Sequence, residues 1–104
     1  MSDDTKLNSA ARKLVVSNWF DTSLLRVRVT RGVIHLQGHI QRVGEGDAQL
    51  RQIEANLRRL DEELRMLRGF RGVTYLFDNW RRDAVGGWRF LGTKRERDEG
   101  KQFH

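Results

Sequence analysis

Arg26, Arg28, His35 and Gln37 are the residues of this chain best placed to meet another molecule. They alternate with Leu25, Val27 and Val29 on one short arm and with Ile34 and Leu36 on the next, and Arg31-Gly32 separates the arms. A period of two on both arms, around a two-residue loop whose glycine permits positive φ, predicts a β-hairpin. With that loop, Arg28 stands opposite His35 and Arg26 opposite Gln37, all on the polar side. Guanidinium groups are planar donor forks matched to carboxylate and phosphate oxygens, so the chemistry expected of this face is anion recognition. Residues 24–43 carry four arginines and no acid, and residues 81–104 carry seven basic against four acidic side chains. The excess behind the net charge of +6 therefore sits on the hairpin and the tail, where Arg81, Arg82 and Arg89 extend the candidate anion-binding set.

Other chemistries find less support. His35 and His39 share a face but lie four residues apart, roughly 13 Å along a strand, too far for one metal ion. The chain has no cysteine, which removes disulfides, thiol catalysis and thiolate metal sites. The acids of residues 44–72 are matched by arginines, with Glu54–Arg58 and Asp61–Arg65 at i,i+4 spacing. No constellation of nucleophile, base and orienting group is visible. The expectation is a non-enzyme without metal or cofactor.

The elements that must position these residues are few, because 104 residues allow one small domain. Leu7, Ala10, Ala11, Leu14, Val15, Asn18 and Trp19 recur at helical spacing over residues 5–20, with Asp3, Asp4 and Thr5 as cap candidates. The hairpin follows. Asp47 is a candidate N-cap for a long second helix in which Leu50, Ile53, Leu57, Leu60, Leu64 and Leu67 follow a 3-4 spacing up to Gly69. About 21 residues at 1.5 Å give roughly 32 Å, more than a seven-residue strand covers, so part of the leucine stripe should overhang the sheet. Leu57, Leu60, Leu64 and Leu67 are accordingly candidate residues for a homodimer interface. Residues 72–80 are β-branched and aromatic and should form a third strand, parallel to the second arm of the hairpin.

The order αββαβ, with Arg31-Gly32-Val33, Leu36-Gln37-Gly38-His39-Ile40, a helix, and then Gly72-Val73-Thr74-Tyr75-Leu76, resembles the BON domain. The resemblance implies an α+β fold with two helices on one face of a three-stranded mixed or antiparallel sheet. Its expected parts are an arm at residues 1–6, a BON-like domain at 7–80 and a basic aromatic tail at 81–104, disordered from about Gly92. It also implies a non-catalytic binding or scaffolding module, one that engages a phospholipid surface or another anionic ligand. If Leu76 points to the core, as the resemblance implies, Tyr75 and Phe77 join the arginines on the open face.

Two further readings stand beside that one. Arginines among exposed aromatics on a sheet are how some RNA-binding folds stack bases, so a small nucleic-acid-binding domain is the first alternative. Gly69-Phe70-Arg71-Gly72 also matches the GxxG loop of KH domains, but here a helix stop and a strand start account for both glycines. The second alternative is a homo-oligomerising scaffold built on the long helix. Trp88 and Phe90, the remaining aromatic contact candidates, follow Gly86-Gly87 and either reach into a membrane interface or partner groove or fold back over the sheet. Folding back is favoured by the amount of apolar surface otherwise left wet. No stretch is apolar enough for a transmembrane span, and the start MSDDTKLNSAARK lacks the apolar region of a secretory signal, so a cytoplasmic address is expected.

Overall fold

The computed structural model describes residues 3–43 and 50–92. Helix α1, Asp3–Ser17, starts inside the arm expected at residues 1–6 and has Asp3 and Asp4 in its first turn, where negative charge opposes the helix dipole. It buries Leu7, Ala11 and Val15, one residue per turn. The helix ends by the double bond of a Schellman turn: Phe20 N donates to Val15 O at 3.3 Å and Trp19 N to Val16 O at 2.9 Å. Trp19 thereby takes the left-handed position, with φ +68°.

A single 3₁₀ turn at Thr22–Leu24 leads into β1, Leu25–Thr30, which pairs antiparallel with β2, Val33–Gly38. Arg31 and Gly32 turn the chain with φ +50° and +81°, the double positive of a type I′ hairpin. The pairing sets Arg28 opposite His35 and Arg26 opposite Gln37. The turn is held from outside as well: the carboxylate of Asp4 accepts the Arg31 and Gly32 amides, each at 3.0 Å, and Gly32 O accepts Arg71 N at 2.8 Å. Gly38 has φ +133°, and a Cβ there would collide with the Leu24 carbonyl, so the position is closed to any other residue.

Helix α2, Leu50–Arg65, carries the chain across to β3, Gly72–Phe77, which pairs parallel with β2. The sheet order is β1-β2-β3. The helix stops four residues before Gly69: Met66 N bonds Glu63 O, Leu67 N bonds Leu64 O, and Gly69 turns the chain with φ +89°. Its expected cap, Asp47, lies outside the described residues. The 16 described helical residues span about 24 Å against roughly 20 Å for a six-residue strand, and of their leucine stripe only Leu50, 47% exposed, stands clear of the core. Leu57, Leu60 and Leu64 are completely buried with Ile53, and Leu67 is half-buried against the same core. Three of the four leucines considered for a dimer interface are thus spent inside the monomer.

The third strand ends at Phe77 rather than Trp80. Asp78 and Asn79 turn the chain into β4, Trp80–Arg82, which pairs antiparallel with β5, Trp88–Phe90. Asn79 is buried and its side chain binds both backbone groups of one residue, accepting Ile40 N at 3.0 Å and donating to Ile40 O at 2.8 Å, while its backbone carbonyl accepts Leu91 N at 2.8 Å. The tail therefore folds back as far as Leu91, yet not over the open side of the sheet. Trp88 packs edge-on to Tyr75, with ring centres 4.8 Å apart, and beside Phe77 on the core side. Residues 93–104, where disorder was expected, lie outside the described residues. Among the described residues the protein is a small α+β fold of two α-helices, a mixed three-stranded sheet and a second, two-stranded sheet.

Candidate anion-binding face

Strand pairing lines up the outward residues of the main sheet in three rows: Thr30, Val33 and Gly72; Arg28, His35 and Thr74; Arg26, Gln37 and Leu76. Alternation explains the sorting, because the opposite parity carries Val27, Ile34, Leu36 and Phe77 into the core shared by both helices. The face contains two arginines, a histidine and an amide, and none of its nine positions is acidic. Among the described residues neither Arg26 nor Arg28 has a carboxylate partner. His35 Nδ1 lies 2.7 Å from Thr74 Oγ1, which ties the ring to β3. Arg26, Arg28, Thr30, His35, Gln37 and Leu76 line a shallow hollow of about 200 Å³. Leu76, 65% exposed, is its apolar wall. Two guanidinium forks on one strand, with imidazole and amide donors across from them, can take an oxyanion of one or two charges by several hydrogen bonds at once.

The aromatic candidates are elsewhere. Tyr75 and Phe77 point to the core side, and Leu76 takes the outward place expected for them. Parity decides this: Leu76 shares its side of the strand with Thr74 and Asp78, whereas Tyr75 shares its side with Val73 and Phe77. Turning Leu76 inward would bury a hydroxyl and a carboxylate to gain one leucine. Trp88 is buried as well, and Phe90 packs 5.3 Å from Trp80. Among the described residues the open face therefore offers no phenyl, phenol or indole ring on which a base could stack.

Against Tyr75 on the core side lies Asp61, a buried carboxylate on α2 that also makes the i,i+4 pair with Arg65. Asp61 Oδ1 accepts the Tyr75 hydroxyl at 2.5 Å; Oδ2 accepts Arg65 Nε at 2.9 Å and Arg82 Nη2 at 3.3 Å. Burial pushes the Asp61 carboxyl up, but the bonds from Arg65 and Tyr75 and the charge of Arg82 together outweigh it and hold the group below its ordinary range. Burial, then the bond to Asp61, raises the Tyr75 phenol far above its ordinary value. The Arg82 guanidinium also lies over the Trp88 ring, 5.2 Å from its centre. Arg82 is therefore a structural cation and leaves the set of anion-binding candidates. The sequence did carry a signal for Asp61, since it falls four residues after Leu57 and three before Leu64, inside the buried stripe.

Arg81 and Arg89 face each other across β4 and β5, both exposed, and form a second basic pair. His39 is paired with Asp78, Nδ1 to Oδ1 at 2.8 Å, at the end of the sheet. Among the described residues no three histidine or carboxylate side chains gather as a metal ion would require, and no helix is long and apolar enough to cross a membrane. Comparisons with known proteins find no match: no family model, no curated protein and no solved structure is significantly similar to the chain.

Proposed function

We propose that the protein is a non-catalytic, BON-like binding module that engages an anionic partner, a phospholipid surface or another anionic ligand, through the open face of its main sheet. The observation that carries this reading is the three-row face, with Arg26, Arg28, His35 and Gln37 gathered around a hollow and no acid among its nine positions. The helix, hairpin, helix, strand order and the glycines at 32, 38 and 72 support the BON-like part of the reading. Arg81 and Arg89 add a second point of contact. The nucleic-acid alternative loses its stacking element, because Tyr75 and Phe77 face the core.

Sedimentation with phosphatidylglycerol-containing vesicles, beside a gel-shift assay with single-stranded RNA, tests the proposal at low and high salt. Vesicle binding that weakens with salt and disappears in an Arg26→Glu/Arg28→Glu variant is the expected result. Failure to bind either probe at low salt rejects the reading, and RNA binding that survives the double variant moves the anion site off this face.

A further inference from the structure

Trp19 occupies a position that the fold would fill better with glycine. As the residue after the last helical turn it must take positive φ, +68° here, a conformation that is a genuine outlier for a bulky side chain and that glycine adopts freely. Nothing in the interior requires the indole, since Trp19 is 60% exposed whereas Trp80 and Trp88 are buried. The backbone around it is fixed. Trp19 N bonds Val16 O at 2.9 Å, Trp19 O accepts Val43 N at 2.8 Å, Asn18 O accepts Asn56 Nδ2 at 2.8 Å, and Phe20 bridges to Arg42. Val16 and Val43, brought alongside by two of these bonds, are 59% and 55% exposed. A strained tryptophan held outward on a rigid frame beside two exposed valines is costly for the monomer and suited to a partner.

We propose that Trp19, Val16 and Val43 form a docking surface for another protein, namely an acidic segment that carries an apolar anchor. The anchor's place is a notch of about 320 Å³ beside Val16, lined by Arg12, Lys13, Ser17 and Thr22. Arg12 and Lys13 are exposed, have no carboxylate partner among the described residues, and call for acids flanking the anchor. The notch adjoins Val16, whose carbonyl holds Trp19 N, and tryptophan and arginine are among the residue types in which binding hot spots are enriched. The concavity beside Val16 gives an apolar side chain a seat, which a flat bilayer surface would leave unfilled, and a second copy would set the same cations against each other. The surface is distinct from the arginine face, because α1 packs on the opposite side of the sheet.

Selection from a displayed random-peptide library against the full chain tests this, with Trp19→Gly and Arg12→Glu/Lys13→Glu as variants and Arg26→Glu/Arg28→Glu as the control. The expected outcome is a set of peptides with Asp or Glu around a Leu, Phe or Trp. Trp19→Gly should weaken their binding at least tenfold while melting at or above the temperature of the parent. The charge reversal should weaken it too, and the control should leave it unchanged. Peptides without acids, binding indifferent to Trp19→Gly, or no selected peptide at all would overturn the proposal. So would a lower melting temperature for Trp19→Gly, which makes the indole structural. Trp19-dependent binding to phosphatidylglycerol vesicles without peptide binding, or a Trp19-dependent dimer in sedimentation velocity, would hand the surface to a bilayer or to a second copy.

Discussion

The hydroxyl of Tyr75 and the carboxylate of Asp61 meet at 2.5 Å in the interior, joining the centre of β3 to the buried stripe of α2. This bond adds to the parity of β3, which already turns Tyr75 and Phe77 inward and leaves Leu76 beside the arginines. Tyr75→Phe should cost about 1 kcal/mol, the net value of a hydrogen bond, without disturbing the fold. Asp61→Ala should cost about 3 kcal/mol, because it strands the phenol and Arg82 together. Urea denaturation of the single and double variants measures both costs, and the double variant should fall short of their sum.

Acid should act through the same group. Asp61 titrates lower in the folded protein than in the unfolded chain, so its ionised form stabilises the fold above the unfolded value, and that contribution disappears as pH falls through the folded one. Thermal unfolding followed downward from about pH 5 should show a falling melting temperature for the parent and a flatter profile for Asp61→Asn. A profile equally steep in the variant would place the acid sensitivity elsewhere.

Two glycines with positive φ make a contrast. Gly38→Ala drives a methyl into the Leu24 carbonyl at the end of β2 and should prevent folding or cost upward of about 3 kcal/mol. Gly69→Ala meets nothing within 4 Å and bears only the conformational penalty of φ +89°, about 1 kcal/mol. Circular dichroism during denaturation separates the two.

Asn79→Ala removes both bonds to the Ile40 backbone and leaves that residue's buried N–H and C=O unmet, for a loss of about 2–4 kcal/mol. Because Asn79 also receives Leu91 N through its backbone, β4 and β5 should loosen with it. Amide hydrogen exchange should quicken at Trp88 to Leu91 while Val27 and Leu36 stay protected.

Arg26→Glu/Arg28→Glu, by contrast, changes two exposed side chains without carboxylate partners among the described residues, and its stability should stay within about 0.5 kcal/mol per site of the parent. Any loss of anion binding in that variant is then a loss of contact, not of fold.

The hairpin was legible because both arms keep a strict period of two and Arg31-Gly32 supplies the turn chemistry between them. The end of α2 was not: Leu67 continues the 3-4 spacing beyond Arg65, and periodicity does not register which amides still reach a carbonyl four residues back. The facing of β3 could have been read by weighing both parities, since Thr74 and Asp78 travel with Leu76. Of the partners of Asp61 only Arg65 was legible, because i,i+4 spacing says nothing of Tyr75 and Arg82 arriving from distant strands. β4 and β5 are three residues each, too short to show alternation, and the side-chain grip of Asn79 on Ile40 joins positions that no local window contains.

The parallel join between β2 and β3 also sets an order of events. Arg28 and His35 need only a two-residue turn to meet, a step of microseconds, whereas His35 and Thr74 lie 39 residues apart and cannot meet until α2 has spanned the gap. The hairpin is thus the early structure in refolding and the closing of β3 the late, rate-setting one. Substitutions at the β2–β3 seam should accordingly slow refolding rather than act on unfolding alone.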